Sequence, residues 1–369
     1  MNEHELKSLI RSIEPASKSA LELAVRRQSE LAKPPGSLGR LEELSVRIAG
    51  MTGKVNNELE KRRIAVFVAD NGVVDEGVAV TPKDVTLKQA VNMTRHKTGM
   101  SALAKFFGDE TRIIDVGIYT DEEFDGIINR KIRRGTNNIR TGAAMTREEA
   151  VAAIGVGVGA AKRAKQDGIS ALGIGEMGIG NTTTSAAVLA AMIGADPANV
   201  TGRGSGLTDA AFYNKVQVIR DALNWNAPDP RDPVDIISKV GGLDIAAMTG
   251  AFLGCASERI PAVADGFIST VAALCAVRLC PEVRDFVILS HASRELGYVL
   301  ASRALELSPL LALDMRLGEG SGCPLAFQLM RAACAVMNGM ATFEEALIDD
   351  KYLDEIRTQS NPASKFGGI

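Results

Sequence analysis

Short continuous runs of apolar residues alternate along the chain with longer stretches in which apolar residues recur every three or four positions. The run at 64–69, IAVFVA, is typical of a strand buried on both faces of a sheet. The helical spacing of the intervening stretches predicts helices between successive strands. This alternation predicts an α/β fold with a doubly wound, mostly parallel sheet. The predicted strands lie at 64–69, 112–116, 169–172, 260–264, 286–289 and 311–317.

Both ends of the chain are predicted to be helical. Helical patterns occur at 6–13, 20–31, 38–51 and 324–337, and a closing helix is expected to begin at 343. We therefore expect a small helical domain, formed from 1–60 and 324–369, beside a large α/β domain at 61–323. The segment 120–145 is charged and contains glycine and asparagine, so it is expected to be an exposed excursion, and the tail from 360 is expected to be loose.

The first two long helical patterns are separated by the motif KPPGSLG at 33–39. Two prolines and two glycines exclude a continuous helix there. A rigid loop is the simpler interpretation. The alternative is a loop that reaches an active site, including one across a dimer.

A stretch with four glycines, one carboxylate and several hydroxyl residues occupies 173–185. Glycines allow positive φ and a close approach of a ligand to the backbone, and Asn181 or a threonine can cap the helix expected to follow. The N–H groups at such a helix start bind anions. An ordinary glycine-rich connection is the alternative, but it would not explain Glu176 inside the turn.

A second glycine-rich turn at 201–206 contains Arg203, and Lys215 follows on a predicted helix. Two such loops and a lysine favour a phosphate more strongly than either loop alone. Neither loop is a Walker motif or a dinucleotide fingerprint at the first β-α turn. The glycines at 155, 157 and 159 lie within a helical pattern, which favours close helix packing over a dinucleotide loop.

Polar residues follow most of the predicted strands, notably Asp70, Asp265, Ser290 and Glu319. Ligand sites in parallel sheets lie at the carboxyl ends of strands, so these are candidate site residues. The turn formed by Asp70 and its neighbours is an equally good structural explanation for that residue. Glu319 lies between glycines after an apolar run, where limited water access would raise its pKa and make it a better base. Its alternative role is to cap the next helix.

Composition excludes several classes of function. The chain has 369 residues and a net charge of −3 without a long basic run, which argues against a nucleic-acid partner. Its apolar runs are too short to span a membrane, and its polar N-terminus is not that of a signal peptide. Five cysteines without metal-ligand spacing and three histidines favour a cytoplasmic protein without a metal site.

Seven motifs in one order resemble the nicotinate-nucleotide–dimethylbenzimidazole phosphoribosyltransferases, which act late in assembly of the cobalamin nucleotide loop. The resemblance spans about 20–350. Each motif is weak by itself, but the ordered set is specific. The motifs are KPPGSLG at 33–39, ADNG at 69–72, GEMGIGNTT at 175–183, GRGSG at 202–206, VGGLD at 240–244, ADG at 264–266 and LGEG at 317–320.

The resemblance implies a homodimer with a Rossmann-like large domain and a small helical domain, and a reaction without metal or cofactor. The 5-phosphoribosyl group of nicotinate mononucleotide would be transferred to 5,6-dimethylbenzimidazole with inversion, giving α-ribazole 5′-phosphate and nicotinate. Glu319 matches the catalytic carboxylate, which would accept the ring N–H proton, and Glu176 matches a second one. The implied phosphate and ribose contacts are Gly178, Gly180, Asn181, Thr182, Arg203, Gly204, Lys215 and Asp265. The implied base pocket is Thr81, Gln89, Ser290 and Leu317.

Other functions stay open at this point. Family members with a different base acceptor would share these motifs. A nucleotide-binding regulator without catalysis, or a dinucleotide oxidoreductase, would also need glycine-rich turns. The missing fingerprint at the first β-α turn argues against the oxidoreductase.

Overall fold

Six strands form a single parallel sheet in the computed structural model, which describes residues 1–204 and 206–353. The strands are β1 (Arg62–Ala69), β2 (Glu110–Gly117), β3 (Ile127–Asn129), β4 (Ala171–Met177), β5 (Ala262–Ala264) and β6 (Val287–Leu289). Their order is β3-β2-β1-β4-β5-β6, so the direction of strand addition reverses between β1 and β4. The predicted doubly wound parallel sheet is confirmed.

Helices cover the sheet so well that all eight residues of β1 are buried. Helices α5 and α14 pack against β1, β2 or β4, and α11 and α12 pack against central strands as a second group. The helices in the described residues are α1 (Glu3–Ser12), α2 (Lys18–Glu30), α3 (Arg40–Thr52), α4 (Val85–Thr94), α5 (Gly99–Phe107), α6 (Arg147–Gln166), α7 (Asn181–Ile193), α8 (Pro197–Val200), α9 (Asp209–Asn226), α10 (Pro233–Val240), α11 (Leu243–Glu258), α12 (Phe267–Leu279), α13 (Leu296–Leu305) and α14 (Cys323–Gly339).

Strand β4 is longer than predicted and includes part of the glycine-rich stretch. It continues to Met177, and the turn begins only at Gly178. The glycines that lie inside β4 allow close packing and do not form a turn. A Cβ on Gly175 would lie 2.7 Å from the backbone oxygen of Glu319, so only glycine lets the two segments approach this closely.

The predicted strand at 311–317 is wrong. Leu311 makes a single parallel bridge with His291, and the rest of the segment has no strand pairing. Leu313 and Leu317 are 51% and 57% exposed. A strand of this sheet would be buried on both faces, so the apolar residues here have another role.

Two shorter segments also differ from expectation. β3 lies inside 120–145, where its three residues pair with β2 and form the edge of the sheet. Residues 343–346 form turns rather than the start of a helix, after Thr342 bridges with Leu31. The series at 155–159 lies inside α6, where Gly157 packs against the backbone of α11, as helix packing predicts. The tail from 360 lies outside the described residues.

The terminal helices do not all pack together. Helices α2 and α3 pack on each other and α3 packs on α14, whereas α1 packs on α6 and α11. We propose that α2, α3 and α14 form the core of the small helical domain assigned to 1–60 and 324–369, beside the large domain at 61–323. In this arrangement both α1 and α14 contact the large domain.

Candidate active site

A cavity of about 600 Å³ opens at the carboxyl ends of β4, β5 and β6, beside the point where strand order reverses. Both glycine-rich turns and the segment around Glu319 line this one cavity. The predicted site residues on its wall are Thr81, Gln89, Glu176, Gly178, Gly180, Asn181, Thr182, Arg203, Gly204, Asp265, Leu317 and Glu319.

Three candidates lie behind or away from the wall. Lys215 is fully buried and reaches the site through Thr182. Ser290 is also fully buried, and its hydroxyl donates to the backbone oxygen of Asp265 at 2.8 Å. The carboxylate of Asp70 accepts from the backbone N–H of Tyr119 at 2.8 Å, which is a structural role.

Glu319 is held in the cavity by the start of α5. Its Oε2 accepts from the backbone N–H of Met100 at 3.2 Å, and its Oε1 accepts from Gln89 Nε2 at 3.5 Å. Burial raises the pKa of Glu319, while the bonds from Met100 and Thr98 lower it in part. The carboxylate therefore contacts α5 and does not cap α14. A buried carboxylate with an elevated pKa can accept a proton from a ligand.

The backbone at Glu319 supports this placement. Gly318, Glu319 and Gly320 all have positive φ, at 83°, 65° and 88°. A residue other than glycine pays a conformational cost there. Asp265 accepts from the N–H groups of Gly320 at 3.0 Å and Gly322 at 2.7 Å, which fixes the segment against β5.

Glu176 belongs to a cluster of buried carboxyl groups. Asn181 Nδ2 donates to Glu176 Oε2 and, at 2.9 Å, to Asp244 Oδ2. Burial, followed by the charge of Asp244, raises the pKa of Glu176 to about 8. Burial raises the pKa of Asp265 to about 7. Burial thus favours the protonated form of Glu176, and a positive charge in the cavity would favour the ionised form.

The part of the cavity wall at the start of α7 favours an anion. Helix α7 starts at Asn181 after Gly180, and no side chain caps its first turn. Lys215 Nζ donates to Thr182 Oγ1 at 2.8 Å, which leaves the hydroxyl proton of Thr182 for an acceptor. Burial lowers the pKa of Lys215 to about 8, so the amine is mostly charged at neutral pH. Arg203 adds a second cation, 5.1 Å from the ring centroid of Phe212.

Comparison with known proteins decides the family. A family profile described as phosphoribosyltransferase matches residues 13–348. The nicotinate-nucleotide–dimethylbenzimidazole phosphoribosyltransferase of Clostridium perfringens is 49% identical over 354 residues, which cover 96% of this chain and 98% of that protein. The chain belongs to the nicotinate-nucleotide–dimethylbenzimidazole phosphoribosyltransferase family.

Other members of the family agree in sequence and in structure. The relative from Ruminiclostridium cellulolyticum is 46% identical, with 92% of this chain and 97% of that protein covered. The crystal structure of the nicotinate-nucleotide–dimethylbenzimidazole phosphoribosyltransferase from Thermus thermophilus superposes with a TM-score of 0.85 at 38% identity, and covers 90% of this chain and 99% of that one. The family resemblance expected from the seven motifs is confirmed.

Several residues on the cavity wall of this family member were not predicted from the sequence. His291, Ser293 and Glu295 follow β6, and Arg316 precedes the segment of Glu319. The polar run SHAS at 290–293 is the available signal, but only Ser290 was predicted from it. Successive side chains alternate in direction after a strand, which places Ser290 behind the wall and His291 on it.

Other features of the described residues point elsewhere. No group of three or more His, Cys, Asp or Glu in 1–204 and 206–353 could hold a metal ion. No helix in the same ranges is long and apolar enough to cross a membrane. A second cavity of about 470 Å³ has balanced charges and so no preference for an anion; its charged residues are Arg40, Arg47, Arg284, Glu43, Asp285 and Glu306.

Proposed function

We propose that this protein transfers the 5-phosphoribosyl group of nicotinate mononucleotide to 5,6-dimethylbenzimidazole, giving α-ribazole 5′-phosphate and nicotinate. The observation that carries the proposal is the polarity of one cavity. One part of its wall offers a helix N-terminus, Thr182 and Arg203, and the adjoining part offers Glu176 and Glu319. The nucleotide has a phosphate at one end and a positively charged pyridinium at the other, and this polarity matches the cavity.

The phosphate is proposed to bind at the start of α7. Backbone N–H groups of 178–182, the Thr182 hydroxyl, the turn at Gly204 and Arg203 would share its charge. Lys215 acts through Thr182, because its ammonium group orients the threonine hydroxyl from behind. This arrangement places the ribose between the phosphate end and the carboxylates of Glu176 and Asp265.

The acceptor base is proposed to bind beside Glu319. Thr81 and Gln89 supply polar contacts there, and Leu317 supplies an exposed apolar face. Ser290 would affect this pocket only indirectly, since it lies behind His291.

The chemistry is a single displacement at C1′ of the ribose. One nitrogen of the benzimidazole attacks C1′ while Glu319 accepts the proton from the other nitrogen. The C1′–N bond to the pyridinium breaks, and its electron pair stays with the leaving nicotinate, which neutralises the ring. Positive charge that builds up on the ribose is stabilised by ionised Glu176 and by Asp265. The proton that Glu176 carries at neutral pH is expected to leave when the cationic nucleotide binds.

We further propose that the protein works as a cytoplasmic homodimer. All five cysteines are free and buried, which suits a reducing compartment. Large apolar side chains are exposed, among them Val80, Leu313 and Leu317, and Leu317 lines the cavity. Burial of such residues against a second copy would stabilise a dimer. Light scattering at micromolar concentration would give twice the chain mass if this is correct and the single mass if it is not.

The reaction is tested by incubation with nicotinate mononucleotide and a panel of benzimidazoles, purines and phenols. We expect release of nicotinate that depends on dimethylbenzimidazole, with an α-configured product. Binding of the nucleotide without release for any acceptor would favour the non-catalytic alternative. Release with a different base only would keep the enzyme class and replace the acceptor.

A further inference from the structure

His291 is the one histidine of the three in the sequence that lines the cavity, and the proposed chemistry does not use it. It lies two residues after the end of β6 and is 1% exposed. Its neighbours determine which ring nitrogen carries the proton, and therefore what the ring can offer to a ligand.

The Nδ1 side of the ring faces the protein. Ser290 Oγ lies 2.9 Å from His291 Nδ1 and 2.8 Å from the backbone oxygen of Asp265. A hydroxyl has one proton, and the Asp265 carbonyl oxygen can only accept it. Ser290 Oγ must therefore accept from Nδ1, so the proton of a neutral His291 lies on Nδ1. Asp265 Oδ1, 3.8 Å away, favours the same tautomer.

The Nε2 side of the ring lies near Gly266, which also lines the cavity. Burial lowers the pKa of His291 to about 4, so the ring is neutral at neutral pH and Nε2 carries a lone pair. A Cβ on Gly266 would lie 3.6 Å from His291 Nε2 and 3.6 Å from Ser293 Oγ. Within the described residues, no protein donor bonds to Nε2. Ser293 Oγ accepts from the N–H of Glu295 at 3.3 Å, which leaves its own proton to donate.

We propose that His291 Nε2 and Ser293 Oγ together bind one hydroxyl group of the substrate ribose above Gly266. The hydroxyl donates to Nε2 and accepts from Ser293. A phosphate or carboxylate oxygen has no proton to give at neutral pH, so the pair selects a group that both donates and accepts. This inference rests on the proposed function, and it makes His291 a specificity-determining residue for ribose.

Two variants distinguish the role of His291 Nδ1 from that of Nε2. His291→Asn keeps an amide donor near Ser290 and loses the acceptor at Nε2. His291→Gln can place an oxygen near the Nε2 position. With 2′-deoxy and 3′-deoxy nicotinate mononucleotide, we expect wild type to lose about 10–100-fold in kcat/KM for one of the two analogues. His291→Asn should lose that discrimination to within about threefold, and His291→Gln should keep most of it. Unchanged discrimination in His291→Asn would overturn the proposal.

A spectroscopic test does not depend on turnover. With ¹⁵N-labelled histidine the spectrum contains only His4, His96 and His291. We expect a neutral Nδ1–H tautomer at pH 7, and a shift of the Nε2 signal on addition of nicotinate mononucleotide that the poorer deoxy analogue does not reproduce. An Nε2–H tautomer, an imidazolium, or an unmoved Nε2 signal would overturn the proposal even if nicotinate is released. The Nε2 shift, together with no nicotinate release in the presence of any acceptor base, would support the hydroxyl site and contradict the proposed function.

Discussion

Replacement of Glu319 by glutamine keeps the shape of the side chain and removes its ability to accept a proton. The amide oxygen can still accept from the N–H of Met100, which is now 3.2 Å from Oε2, and the amide of Gln89 can turn to pair with the new NH₂ group. We therefore expect little change in folding or in nucleotide binding.

The expected fall in kcat follows from the loss of the general base. A positioned general base contributes about 10²–10⁴-fold to a rate, which corresponds to about 3–5 kcal/mol in the barrier. Glu176 cannot replace Glu319 easily, since both of its oxygens already accept hydrogen bonds: Oε2 accepts from Asn181 Nδ2, and Oε1 accepts from the Glu319 N–H at 3.4 Å. We expect kcat for Glu319→Gln to fall by about 10²–10⁴-fold with KM for the nucleotide within about threefold.

The assay is release of nicotinate at saturating concentrations of both substrates across a range of pH. Because burial raises the pKa of Glu319, wild-type activity should fall as pH drops through that pKa, and the variant should lack this limb. The exposed Glu122→Gln variant is the matched control and should behave as wild type. A folded Glu319→Gln protein with kcat close to wild type would refute the role of Glu319 as base.

Three further perturbations test other parts of the structure. Thr182→Val should raise KM for the nucleotide by about 10–100-fold in steady-state assays. Thr182→Ser should leave KM unchanged, because serine keeps the hydroxyl that Lys215 orients. Equal KM values for the two variants would contradict the contact between Thr182 and the phosphate. Burial lowers the pKa of Lys215 to about 8, and nucleotide binding needs the charged amine. KM for the nucleotide should therefore be constant below pH 8 and rise up to about tenfold per pH unit above pH 8. A constant KM up to pH 9.5 would contradict the role of Lys215. Arg62→Met leaves Asp109 buried without the guanidinium that now lies 2.6 Å from its carboxylate. The free energy of unfolding, measured with urea, should therefore fall by about 3 kcal/mol while kcat/KM stays unchanged. An unchanged free energy of unfolding would contradict this role of the ion pair.

The sheet was predictable where burial imposes a simple pattern. β1 is buried on both faces and its continuous apolar run identified it within two residues. The segment 311–317 has a similar run of apolar residues but is not buried: Leu313 and Leu317 are exposed, and Leu317 lines the cavity. Sequence alone cannot distinguish the apolar residues of a buried strand from those of an exposed segment.

Both catalytic candidates were predicted as carboxylates among glycines, and both line the same cavity. The predicted local structure was wrong in each case: Glu176 lies inside β4, and Glu319 does not follow a strand. Their detailed surroundings depend on contacts between distant residues. Asp244, 68 positions after Glu176, sets part of its pKa, and Lys215 lies behind Thr182 rather than on the wall. No local pattern encodes such contacts.

The most direct test of the central claim is a crystal structure of the protein with nicotinate mononucleotide bound. We predict one molecule in the cavity, with its phosphate at the start of α7 within hydrogen-bond distance of Thr182 Oγ1, and its pyridinium ring directed toward Glu319. A nucleotide bound in the reverse direction, or outside this cavity, would contradict the proposed mechanism.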